Sequence, residues 1–233
     1  MSAARRRLLL LGEGDFSFAL AWARFQSRFD PGAASGLVAT SLDSRADVER
    51  RYKHAGLRNA EALRELGASV MHGVDATELP GNLGLGGPFD QVRFNFPHAR
   101  DRWRTQDNQQ LLRGFFCAVR SVLREGPGEG GGDAAEVLVT LVAGQGGTAA
   151  DGAALRVPAD SWRITEQAAH SGFKLVSATP FDHRRWHRRG YMSRGHRRSS
   201  VGAATLAAVE HRFVAAGSST EGATPYFGKK AIW

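Results

Sequence analysis

Four consecutive leucines, Leu8-Leu9-Leu10-Leu11, run directly into Gly12-Glu13-Gly14. A short apolar run with no polar alternation reads as a strand buried on both faces. Such strands occur in parallel sheets covered by helices on either side. Gly12 and Gly14 break the strand, and Asp15 is a suitable N-cap for a helix over about residues 16–29, which Asp30-Pro31-Gly32 would end. Strand, glycine turn and helix in this order form a cradle in which backbone N–H groups face a nucleotide-type ligand; the alternative is a plain tight turn. The third glycine of the dinucleotide-binding pattern is missing, because position 17 is Ser17. That absence disfavours tight packing against a pyrophosphate.

Further buried runs follow at intervals suited to β-α alternation. Residues 37–42 predict a second strand followed by Asp43, and residues 46–66 one helix capped by Gly67. Residues 69–74 predict a third strand ending at Asp75, and residues 89–94 a fourth. Residues 108–123 are amphipathic, with Leu112, Phe115, Val119 and Val122 on one helical face. A fifth strand is expected over 136–142, a loose and mobile Gly/Ala segment over 143–156, a helix over 161–172, and strands over 173–178 and 211–215. The expected fold is α/β: a doubly wound, mostly parallel sheet of seven strands. Residues 1–216 would form one domain carrying a basic loop at 182–200, and residues 217–233 a flexible tail. With 233 residues and 42% hydrophobic content, the chain can bury a full core.

Lys and Arg number 31 against 23 Asp and Glu, a net charge of +8. That balance suits a polyanionic partner, nucleic acid before acidic membrane, although a bias toward arginine codons produces the same composition. One cysteine, Cys117, excludes an intrachain disulfide; its apolar setting, Gly114 to Val119, reads as a buried core thiol. One cysteine with scattered histidines supplies no metal-ligand set. The leucine run after Arg5-Arg6-Arg7 is too short for a signal or membrane segment, so a soluble, intracellular protein is expected.

Several polar residues fall at predicted strand ends. Asp43 could accept hydrogen bonds from a ribose or cap the next helix; Asp75 could accept from an adenine amine or serve as a turn carboxylate. Asn95-Phe96-Pro97-His98 closes the fourth strand with an amide, a stiff turn and an imidazole. This grouping suits holding a planar nitrogen nucleophile in line with a methyl donor, against the alternative of a proline turn with a solvated histidine. His98 is the candidate base; His54, His72 and His211 read as ordinary surface or core residues. Between Asp182 and Arg198 lie seven arginines, among them Arg184, Arg185, Arg188 and Arg189, interleaved with Trp186 and Tyr191. Arginine for phosphates and aromatic rings for unpaired bases would suit RNA; a basic loop without a specific partner is the other reading.

The segments 12–18, 39–44, 66–77 and 89–98, in this order, resemble the Rossmann-like rRNA uridine-N3 methyltransferase family, and the resemblance extends over about residues 8–180. It implies an S-adenosylmethionine-dependent methyltransferase acting on RNA, with large-subunit rRNA as partner and a nucleolar, nuclear or cytoplasmic site of action. By motif, Gly12, Glu13, Gly14, Asp15, Asp43 and Asp75 would line the cofactor, and Asn95, Pro97 and His98 the target base. The sequence departs from the family after His98 and after the fifth strand. A catalytically inactive methyltransferase-like module that binds RNA or protein is the alternative.

Overall fold

The computed structural model describes residues 6–79, 88–99, 104–126, 134–193 and 207–216. Its centre is a seven-stranded sheet: β1 (Leu8–Leu11), β2 (Leu37–Ser41), β3 (Ser69–His72), β4 (Gln91–Asn95), β5 (Glu136–Val142), β6 (Phe173–Pro180) and β7 (Ala208–Ala215). The spatial order is β3-β2-β1-β4-β5-β7-β6. All pairings are parallel except those of β7, which runs antiparallel between β5 and β6. The doubly wound, mostly parallel, seven-stranded expectation is met. The chain leaves β1 to build one half through β2 and β3, then returns to build the other from β4. The topological switch point therefore lies between β1 and β4, and in open α/β sheets the crevice beyond the strand C-termini at that point is where ligands bind.

The leucine run explains the two-sided core. Successive strand side chains point to opposite faces. Leu9 and Leu11 join the core on the side of α4 (Thr105–Val119) and α5 (Ile164–Ala169), while Leu8 and Leu10 join the core on the side of α1 (Ser17–Gln26) and α3 (His54–Glu65). In the first core the ring of Phe116 meets Phe115 and Phe213, each at 5.0 Å, and Phe173 at 5.6 Å. This side chain ties α4 to both β6 and β7. Phe116→Ala should cost ~3–5 kcal/mol of stability, read as a lowered denaturant midpoint with an unchanged m-value.

Several expectations are corrected. The single helix over 46–66 is two helices, α2 (Arg45–Tyr52) and α3, separated at Lys53 with φ 53°. Gly56 packs so closely on Val48 that a β-carbon there would lie 2.6 Å from Cγ1, and a straight helix could not bring those turns together. The C-terminus is as read: Gly67, at φ 89°, donates to the Arg64 carbonyl and Ala68 to that of Leu63, a Schellman closure. The helix expected over 161–172 is regular only across α5. Cys117 is exposed, because α4 turns Phe115, Phe116 and Val119 inward and leaves position 117 outside. The segment after β5 is ordered rather than loose. It contains a 3-10 turn, Ala149–Ala154, held by the buried carboxylate of Asp151, which accepts from Gly144 N at 2.9 Å and Thr148 N at 3.0 Å. Thr148 Oγ1 in turn meets Nε2 of His211, a fully buried core residue, at 3.1 Å.

The basic loop expected from 182 begins as a short helix, α6 (His183–His187), capped by Asp182, whose carboxylate accepts from Arg185 N at 2.8 Å. Its remainder from 194 to 200 and the expected tail, 217–233, lie outside the described residues. Among the described residues no helix is long and apolar enough to cross a membrane.

Candidate active site at the switch point

Each polar residue singled out at a strand end falls on the C-terminal edge of the sheet, but by different means. Gly12 turns the chain out of β1 at φ 67°, and a β-carbon there would lie 2.5 Å from Cε2 of Phe94 on the neighbouring β4. Both the backbone angle and the close approach require glycine. At Gly14 a β-carbon would lie 2.7 Å from the Tyr52 hydroxyl, so α2 closes over the turn. Asn59 of α3 also clamps it, donating to the Asp15 carbonyl at 2.8 Å.

The carboxyl groups of this turn are directed into the start of α1. Asp15 Oδ1 accepts from Ser17 N at 3.0 Å and Glu13 Oε2 from Ala19 N at 3.1 Å, so two orphan N–H groups of the helix end are satisfied. Asp15 thus serves the helix end without occupying the N-cap position itself. That position falls to Phe16, which takes a left-handed conformation at φ 59°, and α1 begins at Ser17. Glu13 is 6% exposed, and its pKa is pushed up to about 8. Burial is the main cause and the Asp15 charge adds to it, while the Ala19 N–H and the Arg93 guanidinium oppose it.

Asp43 is buried just beyond β2, with Arg51 at 3.7 Å and its own N–H donated to Ser41 Oγ at 3.2 Å. Ser44, rather than Asp43, caps α2 by accepting from Asp47 N. Asp75 lies beyond β3 and accepts from both the N–H and the hydroxyl of Thr77, at 2.8 and 2.7 Å. That geometry is the turn-carboxylate alternative for Asp75. His72, which reads as ordinary in the sequence, stands beside this edge: its ring meets Phe16 at 5.4 Å, and burial lowers its pKa.

At the tip of β4, Asn95 Oδ1 accepts from Thr140 Oγ1 at 2.9 Å, which aligns the amide. Its Nδ2 is buried without a protein acceptor among the described residues. Phe96 has φ 52° and packs edge-on against Phe181, so its ring supports the turn. Pro97 is buried and His98 partly so. His98 Nδ1 lies 2.9 Å from the Ala99 carbonyl, and its ring meets Trp162 at 5.9 Å. A carbonyl only accepts, so Nδ1 carries the proton and the neutral ring keeps its lone pair on Nε2.

Sequence reasoning misses the residues that hold this tip: Thr140; Asn108, whose Oδ1 accepts from Ala99 N at 2.9 Å; and Gln109, which donates to the Ser161 carbonyl at 2.8 Å. Trp162, whose backbone N–H donates to the Gln145 carbonyl, completes the group. Of these, only the short polar run at the start of α4, Asn108-Gln109-Gln110, offers a signal in sequence.

The basic segment is farther along α1. Arg184 and Arg188 are exposed and Arg185 and Arg189 half-buried. Trp186 instead packs on Phe18 at 4.9 Å, and Tyr191, 8% exposed, meets the same ring edge-on at 5.4 Å. Both rings serve the docking of α6 on α1, Tyr191 buried and Trp186 half-buried.

A group such as S-adenosylmethionine, with a ribose diol and an adenine, meets suitable chemistry here: a glycine turn at the switch point and a buried carboxylate at the β2 end.

Known proteins resemble this chain in sequence and in fold. The chain is 40% identical over 177 residues to the mouse ferredoxin-fold anticodon-binding domain-containing protein 1 homolog, and 38% identical over 179 residues to its human counterpart. Each alignment covers 76% of this chain but 26% of the relative, so the chain spans about a quarter of their length. Among solved structures, the 16S rRNA (adenine(1408)-N(1))-methyltransferase from Catenulisporales acidiphilia superposes with a TM-score of 0.50 at 16% identity, covering 92% of this chain and 89% of that one. That likeness establishes the methyltransferase-type Rossmann fold. Residues 9–195 match the family model described as BMT5-like, rRNA (uridine-N3-)-methyltransferase BTM5-like, and the chain belongs to that family.

Proposed function

We propose that this chain is an S-adenosylmethionine-dependent RNA methyltransferase that modifies N3 of a uridine in rRNA. The observation that carries the reading is the tip of β4: an amide with a buried, unpartnered donor and an imidazole with a defined tautomer, three residues apart, beside the Gly12 turn. Family membership and fold support it.

S-adenosylmethionine would supply an electrophilic methyl group at this edge. Gly12 to Gly14 would allow close backbone approach, with Glu13 and Asp15 fixing the helix end behind it. Asp43 would accept the ribose hydroxyls, and Asp75 would hold the adjoining turn. On the substrate side, Asn95 Nδ2 would donate to a uracil carbonyl, for which its alignment by Thr140 prepares it. The N3 proton must leave as the nitrogen forms its bond to carbon, and Nε2 of His98 would take it. Pro97 holds the two groups at a fixed separation, so positioning supplies a large share of the rate. N3 is hidden in a Watson–Crick pair, so the target would be an unpaired or extruded base.

Calorimetric titration with S-adenosylmethionine, S-adenosylhomocysteine and NAD tests the first half of this reading. Binding of the first two is expected, and Asp43→Ala should weaken both about 10- to 100-fold, the loss of hydrogen bonds to a charged acceptor. Binding of NAD alone would overturn it. Binding of none, in a protein that still binds RNA, would assign the fold to a non-catalytic RNA-binding module.

A further inference from the structure

The docking of α6 on α1 builds a feature that neither helix has alone. The ring of Phe25 on α1 is covered by the guanidinium groups of Arg185 and Arg189, at 4.8 and 4.5 Å. Beside it, Arg24 of α1 and Arg28 of the turn just after α1 face Arg188 and Arg189 across a cleft of about 380 Å³, lined also by Ala21 and Phe25. Five arginines from two segments far apart in sequence thus converge.

Ion pairs elsewhere join Arg50 to Asp47, Arg64 to Glu61, Arg93 to Glu210 and Arg124 to Asp90. Among the described residues none of these five arginines forms one, so their charge is not neutralised there. The nearby carboxylate of Asp182 is engaged at the start of α6. Arg189 donates from Nη1 to the Arg185 carbonyl at 2.8 Å, but its Nε is buried without an acceptor. Burial and the repulsion of Arg185, Arg28 and Arg188 lower its pKa. Like charges gathered around a buried, unsatisfied donor are destabilising unless an anion occupies the space between them.

The chemistry narrows the anion. Guanidinium forks match phosphate oxygens in a bidentate fashion. The aromatic rings of the segment are committed to packing α6 on Phe18 and Phe25, so base stacking is not the means of binding. The first cleft arginine, Arg24, lies seven residues beyond the start of α1, about 10 Å along the helix. A nucleotide flanking the reacting base, rather than that base itself, would reach it. Resting on the RNA reading above, we propose that the α1–α6 cleft lined by Arg24, Arg28, Arg188 and Arg189, with Arg185 over Phe25 beside it, docks the phosphodiester backbone of the RNA substrate beside the modified base. Phosphate binding of this kind sets register and orientation without reading sequence.

Fluorescence anisotropy of a fluorescein-labelled single-stranded oligouridine, titrated with the full chain over a range of NaCl concentrations, tests this. Arg24→Gln with Arg28→Gln should weaken binding about tenfold at low salt and flatten the slope of log K against log salt by about 1.4, or 0.7 for each phosphate no longer neutralised. Arg24→Lys with Arg28→Lys should keep the slope, because the charge remains. Both positions are exposed, so the thermal midpoint and the affinity for S-adenosylhomocysteine should not move. Unchanged RNA affinity and slope in the glutamine variant would overturn the proposal. So would retained RNA affinity together with lost binding to phosphatidylserine vesicles, which would assign the cleft to an acidic membrane. Failure to bind S-adenosylhomocysteine alongside the expected salt response would instead overturn the methyltransferase reading and leave the cleft standing.

Discussion

Changing His98 to alanine is expected to lower the rate of methyl transfer to RNA by about 10²–10⁴-fold, the contribution of a positioned general base. Affinity for S-adenosylhomocysteine should not change, because the imidazole is held by Ala99 and Trp162 rather than by the glycine turn. The relevant measurement is single-turnover transfer of a labelled methyl group. The imide proton is lost more readily as pH rises, so the variant should recover part of its rate in alkaline buffer while the parent gains less. A rate within a factor of about two of the parent would remove His98 from the mechanism and leave Asn95 and the backbone as the orienting groups.

The second large effect concerns stability. Glu13 is buried at the head of α1, and its carboxyl titrates near pH 8 in the folded chain, against an ordinary value of 4.5. The folded state therefore holds a proton that the unfolded state has already released between those values. The associated stability is fully present below about pH 4.5 and is lost as pH rises through 8. Over that window the loss is on the order of 5 kcal/mol. Glu13→Gln keeps an acceptor for the Ala19 N–H while removing the titration. The parent should unfold at progressively lower denaturant concentration from about pH 5 to pH 8, and the variant should show a much flatter profile. Equal slopes would mean that Glu13 stays ionised at neutral pH. In that case the carboxylate would also be available to a cationic ligand.

Much of the architecture is legible along the chain because it is local. Two-sided burial makes Leu8 to Leu11 a parallel strand in any context, and the glycines after it can only be a turn. Asn95-Phe96-Pro97-His98 stands out because proline and polar groups end a hydrophobic run. Local reading fails where a distant partner decides. Residues 143–156 look unstructured until the buried Asp151 carboxylate gathers two N–H groups and His211, from β7, receives Thr148. Cys117 sits in an apolar run, yet the phase of α4, set by Phe115 and Phe116 entering the core, turns it outward.

The sequence by itself determined the parallel sheet, the glycine turn at its first strand and the polar groups at the strand ends, since burial pattern, glycine freedom and proline stiffness act within a few residues. Only the tertiary structure decided which of those groups meet. The pairing of β4 beside β1 brings Gly12 against Phe94, that of β5 beside β4 sets Thr140 onto Asn95, the segment before α5 sets Trp162 against His98, and the docking of α6 commits Trp186 and Tyr191 to packing while leaving four arginines lining one cleft and Arg185 beside it. Such pairings depend on chain segments that are far apart in sequence, and no local propensity encodes them.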